Sequence, residues 1–106
     1  MSDLLFADFS TVQSNLQRSP NTIAAAATIA PVTLHTYVTG TTQVATITPP
    51  VTGQHLLFIT WTDGSPGTTL TTGNILNAVV PTQNVPSCFL YDTNVSKYRG
   101  WANNLT

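Results

Sequence analysis

Residues 32–39 read VTLHTYVT, an alternation in which Val32, Leu34, Thr36 and Val38 point one way and Thr33, His35, Tyr37 and Thr39 the other. A period of two is that of a β-strand, and a helix cannot keep it on one face. The same pattern returns in QVATIT, with Val44, Thr46 and Thr48 opposite Ala45 and Ile47. Gly40-Thr41 supplies a turn between the two runs, and Pro49-Pro50 closes the second because proline cannot donate to a sheet ladder.

Further on, HLLFITWT at 55–62 reads as a central strand. Its start is apolar on both faces, with Leu56, Phe58 and Thr60 opposite Leu57, Ile59 and Trp61. DGSPG at 63–67 is a turn signal. NILNAVV at 74–80 and SCFLYD at 87–92 read as short strands, and YDTNVSKYRGW as a hairpin turning at Thr93-Asn94. The alanine run 24–27 is a helix former by propensity, but Thr22, Thr28 and Pro31 hem it in and favour extended chain. Many short strands with frequent turns predict an all-β fold, a small β-sandwich or jelly-roll-like β-barrel over residues 23–106. The expected core is Val32, Leu34, Val38, Val44, Ile47, Leu56, Phe58, Ile75, Phe89 and Tyr91.

Only 7% of the 106 residues carry charge, whereas ordinary globular domains carry about 25%. Threonine supplies 20 of the 106 positions, a surface that hydrogen-bonds without repelling its neighbours. With 42% hydrophobic residues and a net charge of −1 the chain is expected to fold, since disorder goes with low hydrophobicity and high charge. So few charges leave little to oppose association, and we read a subunit of an assembly. Three basic residues cannot neutralise many phosphates, so no nucleic-acid partner is expected. No apolar run approaches a membrane span, and the acidic MSDLLFADF start does not read as a secretory signal. Cys88 stands alone, which excludes an intrachain disulfide and reads as a buried structural thiol.

Residues 1–22 break the alternating pattern and form an extended N-terminal arm by expectation. Leu4, Leu5, Phe6 and Phe9 cluster between Asp3 and Asp8; Ser10 offers an N-cap, Val12 and Leu16 stand at i, i+4, and Pro20 is a stop. A helix of one or two turns there needs something to dock on.

No reactive centre emerges, and no cofactor is expected. Asp63 and Asp92 both lie in turn contexts where aspartate bonds its own backbone, so a glycosidase pair is the weaker reading. His35 and His55 lack metal-ligand spacing, although a site shared across a trimer axis is conceivable. Trp61, Tyr91, Tyr98 and Trp101 would serve as an aromatic sugar shelf, or more commonly as packing.

The ordered blocks TIAAAATIAPVT, VTGTTQVATITPP, GNIL and FLYDTNVSKYRGW resemble a β-rich module of virion proteins of tailed bacteriophages, over residues 21–101. That module has an alanine-rich TIAPT entry, an SGT..IATI.PP hairpin, a GNI segment and a closing YD...KWY hairpin. This chain departs from it at the end, where KYRGW replaces the lysine–tryptophan–tyrosine closure. The resemblance implies a non-enzymatic virion protein, first a capsid decoration or cement protein on the capsid surface, often a homotrimer. A tail-fibre or receptor-binding tip that recognises host glycans is the runner-up. For a decoration protein the arm is the expected anchor on the major capsid protein, through Leu4, Leu5, Phe6, Phe9, Val12, Leu16 and Arg18.

Overall fold

A computed structural model describes residues 19–50 and 56–102, and the arm side chains up to Arg18 lie outside them. The described residues are all-β. Seven strands run in the order β1 (Asn21–Ala24), β2 (Thr28–Ile29), β3 (His35–Thr39), β4 (Thr46–Ile47), β5 (Leu56–Trp61), β6 (Ser87–Asp92) and β7 (Lys97–Ala102). A five-stranded sheet has the order β1-β3-β5-β6-β7, and β2 pairs with β4 in a second sheet. One core unites them, with Ile29 and Ile47 of the small sheet in the same cluster as Val38, Leu57, Ile59, Trp61, Phe89 and Tyr98 of the large one.

The path is a coil. From β1 to β5 the chain alternates between the sheets, so β1, β3 and β5 stack in parallel on one side and β2 and β4 in parallel on the other. Parallel neighbours need a crossover, and here each crossover runs through the opposite sheet. The turn at Gly40, whose φ is +91° and suits glycine, therefore does not close a hairpin: it carries the chain from one sheet to the other. Asp63 holds it by accepting the Gly40 N–H. The antiparallel hairpin β6–β7 completes the large sheet through a four-residue loop, 93–96, that ends with Ser96 at φ +55°.

Several expectations about which side chains are buried are corrected. In β5 the core side chains are Leu57, Ile59 and Trp61, whereas Leu56 is exposed and Phe58 half-buried. Both parities of that strand are apolar, so alternation could not choose between them. The register does: Thr36 and Val38, buried in β3, lie beside Ile59 and Trp61. Val32 and Leu34 precede the observed strand; Val32 is exposed and Leu34 half-buried. Tyr91 is half-buried and packs on the core from its margin. In QVATIT, Val44 and Ile47 are both buried although they are three residues apart. The Ala45 and Thr46 N–H groups both donate to the Ala27 carbonyl, at 2.8 and 3.0 Å, which is a β-bulge and shifts the phase by one residue.

The expected strand at 74–80 is also replaced. Only Ile75 bridges, to Tyr98 of β7, with Tyr98 N–H donating to Asn74 O and Leu76 N–H to Tyr98 O. Two asparagine side chains act as further strand residues. The Asn74 amide accepts the Ile47 N–H at 2.8 Å and donates to the Ile47 carbonyl at 2.7 Å. The Asn77 amide pairs in the same two-way manner with Gly100 of β7. Gly73 allows this approach, because a Cβ there would collide with the Thr46 hydroxyl and the Ala45 backbone. The GNILN segment thus finishes one end of both sheets. At the other end β1 and β2 each have one neighbour among the described residues, and residues 21–30 carry no charge.

Candidate interaction surface

The outer face of the large sheet follows from the register. His35, Phe58, Cys88 and Trp101 are consecutive cross-strand partners from β3 to β7, and Leu56, Leu90 and Arg99 form the next row. This face stays uncovered by the described core, with Leu56, Leu90 and Trp101 exposed by 38%, 43% and 50%. Beside it the His35 and Tyr37 rings lie 4.9 Å apart, and His35 Nε2 shares a 2.7 Å hydrogen bond with Thr60 Oγ1. Burial holds the imidazole of His35 below its ordinary value and pushes the thiol of Cys88 up. A thiol held protonated is a poor nucleophile.

Charge gathers at one margin. Asp92 accepts from Arg99 Nε at 2.8 Å and from the Asn94 N–H at 2.9 Å, and the Arg99 bond chiefly lowers the carboxyl pKa. Lys97 and Arg99 alternate with Tyr98 along β7, so both share the outer face with Trp101. Asp63, Asp92, Lys97 and Arg99 are the charged residues among those described.

The register separates the two carboxylates of the weaker enzymatic reading. Asp92 lies two residues beyond Leu90, the partner of Leu56, while Asp63 lies seven residues the other way. Nine strand steps are roughly 30 Å, well beyond the spacing of a glycosidase pair. The aromatic shelf is broken up as well: Trp61 and Tyr98 are fully buried, and Tyr91 stacks edge-on against Tyr98 at 5.1 Å. Burial pushes the Tyr98 hydroxyl up to about 12. Trp101 alone of that set is exposed, and its neighbours across the sheet are residues the alternation had assigned to the core or passed over. His55 lies outside the described residues, and no group of three potential metal ligands occurs among those described.

What this face offers is contact: an apolar and aromatic strip, uncharged over most of its width, with a cationic margin. No helix among the described residues is long and apolar enough to cross a membrane. No family model, curated protein or solved structure matches the chain.

Proposed function

We propose that the protein is a non-enzymatic structural subunit of a bacteriophage virion, a decoration or cement protein on the capsid surface. In this reading it is a homotrimer held on the major capsid protein by its N-terminal arm, with Leu4, Leu5, Phe6, Phe9, Val12 and Leu16 filling a groove and Arg18 pairing with a capsid carboxylate. The observation that carries the reading is the surface itself. Four charges among the described residues, an exposed apolar sheet face and a first coil with uncharged open edges suit a subunit that lives against other subunits. The ordered resemblance to virion modules supplies the kind of assembly.

A tail-fibre tip that binds glycans is the second reading, favoured by the exposed indole of Trp101. The test is binding of purified protein to undecorated particles, with and without residues 2–16. The decoration reading expects the full chain to saturate the shell and the truncated, still folded protein to lose binding. Undiminished binding by the truncated protein would remove the anchor, and no binding by either would remove the decoration reading.

A further inference from the structure

We propose that the open end of the coil is a self-pairing interface: β1 of one subunit pairs antiparallel with β1 of a second copy about a twofold axis at Ile23, joining the two five-stranded sheets into one continuous sheet. The inference goes beyond the decoration reading and is tested on the isolated protein, so its failure leaves that reading standing. Being twofold, the contact adds to a trimer rather than forming one, and it joins trimers in pairs where a threefold contact is also present.

Three observations carry the choice of partner. The first is which backbone groups β1 leaves free. The Ala25 N–H donates to Thr39 O at 2.7 Å and the Asn21 N–H to Thr33 Oγ1 at 3.2 Å. Asn21, Ile23 and Ala25 therefore face β3, and alternation turns the N–H and C=O groups of Thr22 and Ala24 to the open edge. In the small sheet the Ala27 and Ile29 carbonyls accept from β4, so Thr28 is the free position there. Thr22, Ala24 and Thr28 are all exposed.

The second is that this edge complements itself. An antiparallel neighbour satisfies Thr22 and Ala24 where an outward-facing residue stands opposite each. Thr22 laid against Ala24 of the second copy, and Ala24 against its Thr22, meets that condition at both positions, each pair exchanging both of its N–H···O bonds. Ile23 then faces Ile23 of the second copy across the axis, a non-hydrogen-bonded pair with Cα atoms about 4.5 Å apart. Half-buried against the core of its own subunit, Ile23 has its remaining surface covered by its symmetry mate. Pro20, which has no N–H, ends the ladder beyond Asn21 on both sides.

The third is the contrast between the two ends. Edge strands are ordinarily guarded by lysine, proline or a bulge. β1 contains none of these, and residues 19–34 carry no charge. The exposed side chains of Ala26, Ala27 and Ala30 are short and leave the edge open to approach. At the opposite end the edge of β7 is taken: Tyr98 bonds to Asn74 and Leu76, and Gly100 to the Asn77 amide. Head-to-tail stacking finds no free edge there, whereas two open ends meeting head to head make a closed pair.

The experiment is sedimentation velocity of the full chain and of Ala24→Pro over a dilution series reaching about 1 mM, because an edge of four residues buries little surface and pairs reversibly. The Ala24 N–H points outward, so proline there removes a donor from the interface and none from the β1–β3 ladder. The expected result is a native chain that doubles its mass with concentration and a folded variant that keeps half that mass throughout. Ile23→Cys with Cys88→Ala is the second arm, and it holds even where the proline variant fails to fold. Its thiols meet at the axis within disulfide reach and oxidise to a linked dimer faster by about tenfold or more than those of a Val80→Cys, Cys88→Ala control, because pairing raises their effective concentration. Val80 is a fair control, being 65% exposed. A native chain that keeps the mass of the variant over the whole series overturns the proposal. So does a folded Ala24→Pro chain that doubles like the native one, or Ile23→Cys thiols that oxidise no faster than the control. Association beyond a doubling overturns the closed symmetry.

Discussion

Replacing Asn74 by alanine removes both hydrogen bonds through which a side chain stands in for a strand beside β4. Ile47 is 1% exposed, so its N–H and C=O lose their partners with little access to water. At about 1–1.5 kcal/mol for each of the two bonds the cost is about 2–3 kcal/mol. In a domain of this size that lowers Tm by about 10–20 °C. Urea and thermal unfolding followed by far-ultraviolet circular dichroism measure it. Asn74→Asp sharpens the test. Its carboxylate still accepts the Ile47 N–H but sets a second acceptor against the Ile47 carbonyl, which raises the folded-state pKa. Stability of that variant relative to wild type is therefore greatest when the carboxyl is protonated and is lost as pH rises through the folded-state value. If Asn74→Ala unfolds within about 0.5 kcal/mol of wild type, as an ordinary surface substitution would, the strand-mimic account of GNILN is wrong.

Gly73→Ala drives a methyl group into the Thr46 hydroxyl and the Ala45 backbone and costs about 3 kcal/mol, read from the same unfolding curves. Ser87 Oγ and the Tyr98 hydroxyl are buried without partners among the described residues, so Ser87→Ala and Tyr98→Phe leave stability unchanged or raise it by about 1 kcal/mol in urea titrations. Burial lowers the His35 pKa, so the unfolded chain takes up its proton first as the medium is acidified. Its contribution to stability is therefore present above the ordinary imidazole value of about 6.5 and is lost as pH falls from there toward the folded-state value. His35→Gln flattens the Tm profile over that window.

Strand-forming stretches were legible wherever one parity was apolar and the other polar. Thr36 and Val38 fell on the buried face as their alternation indicated, and SCFLYD forms β6 over the residues expected. In HLLFITWT both parities are apolar, so the face depended on the long-range pairing of Phe58 with His35, which no local pattern carries. The bulge at Ala45-Thr46 is set by the Ala27 carbonyl, again a distant partner. Parallel stacking was hidden for a related reason: a glycine turn between two strands reads as a hairpin unless the second strand is known to belong to another sheet.

Threonine misled in its own way. Read as a surface residue, it is buried at Thr33 and Thr69. There the hydroxyl closes local backbone gaps: Thr33 Oγ1 accepts the Asn21 N–H and donates to His35 O, and Thr69 Oγ1 accepts the Val79 N–H. The candidate surface was legible only in part, because Trp101 stands out in the sequence while Phe58 and Leu56, on the same face two strands away, read as core.

The proposal that this protein is a subunit of a virion shell stands or falls on its abundance in purified particles. Quantitative mass spectrometry of virions, with isotope-labelled peptides from this chain and from the major capsid protein, gives the ratio of the two. A decoration protein is present in fixed proportion to the capsid subunits. A ratio at the level of the few copies of a tail fibre would move the protein to a receptor-binding tip, and its absence from particles would contradict the claim outright.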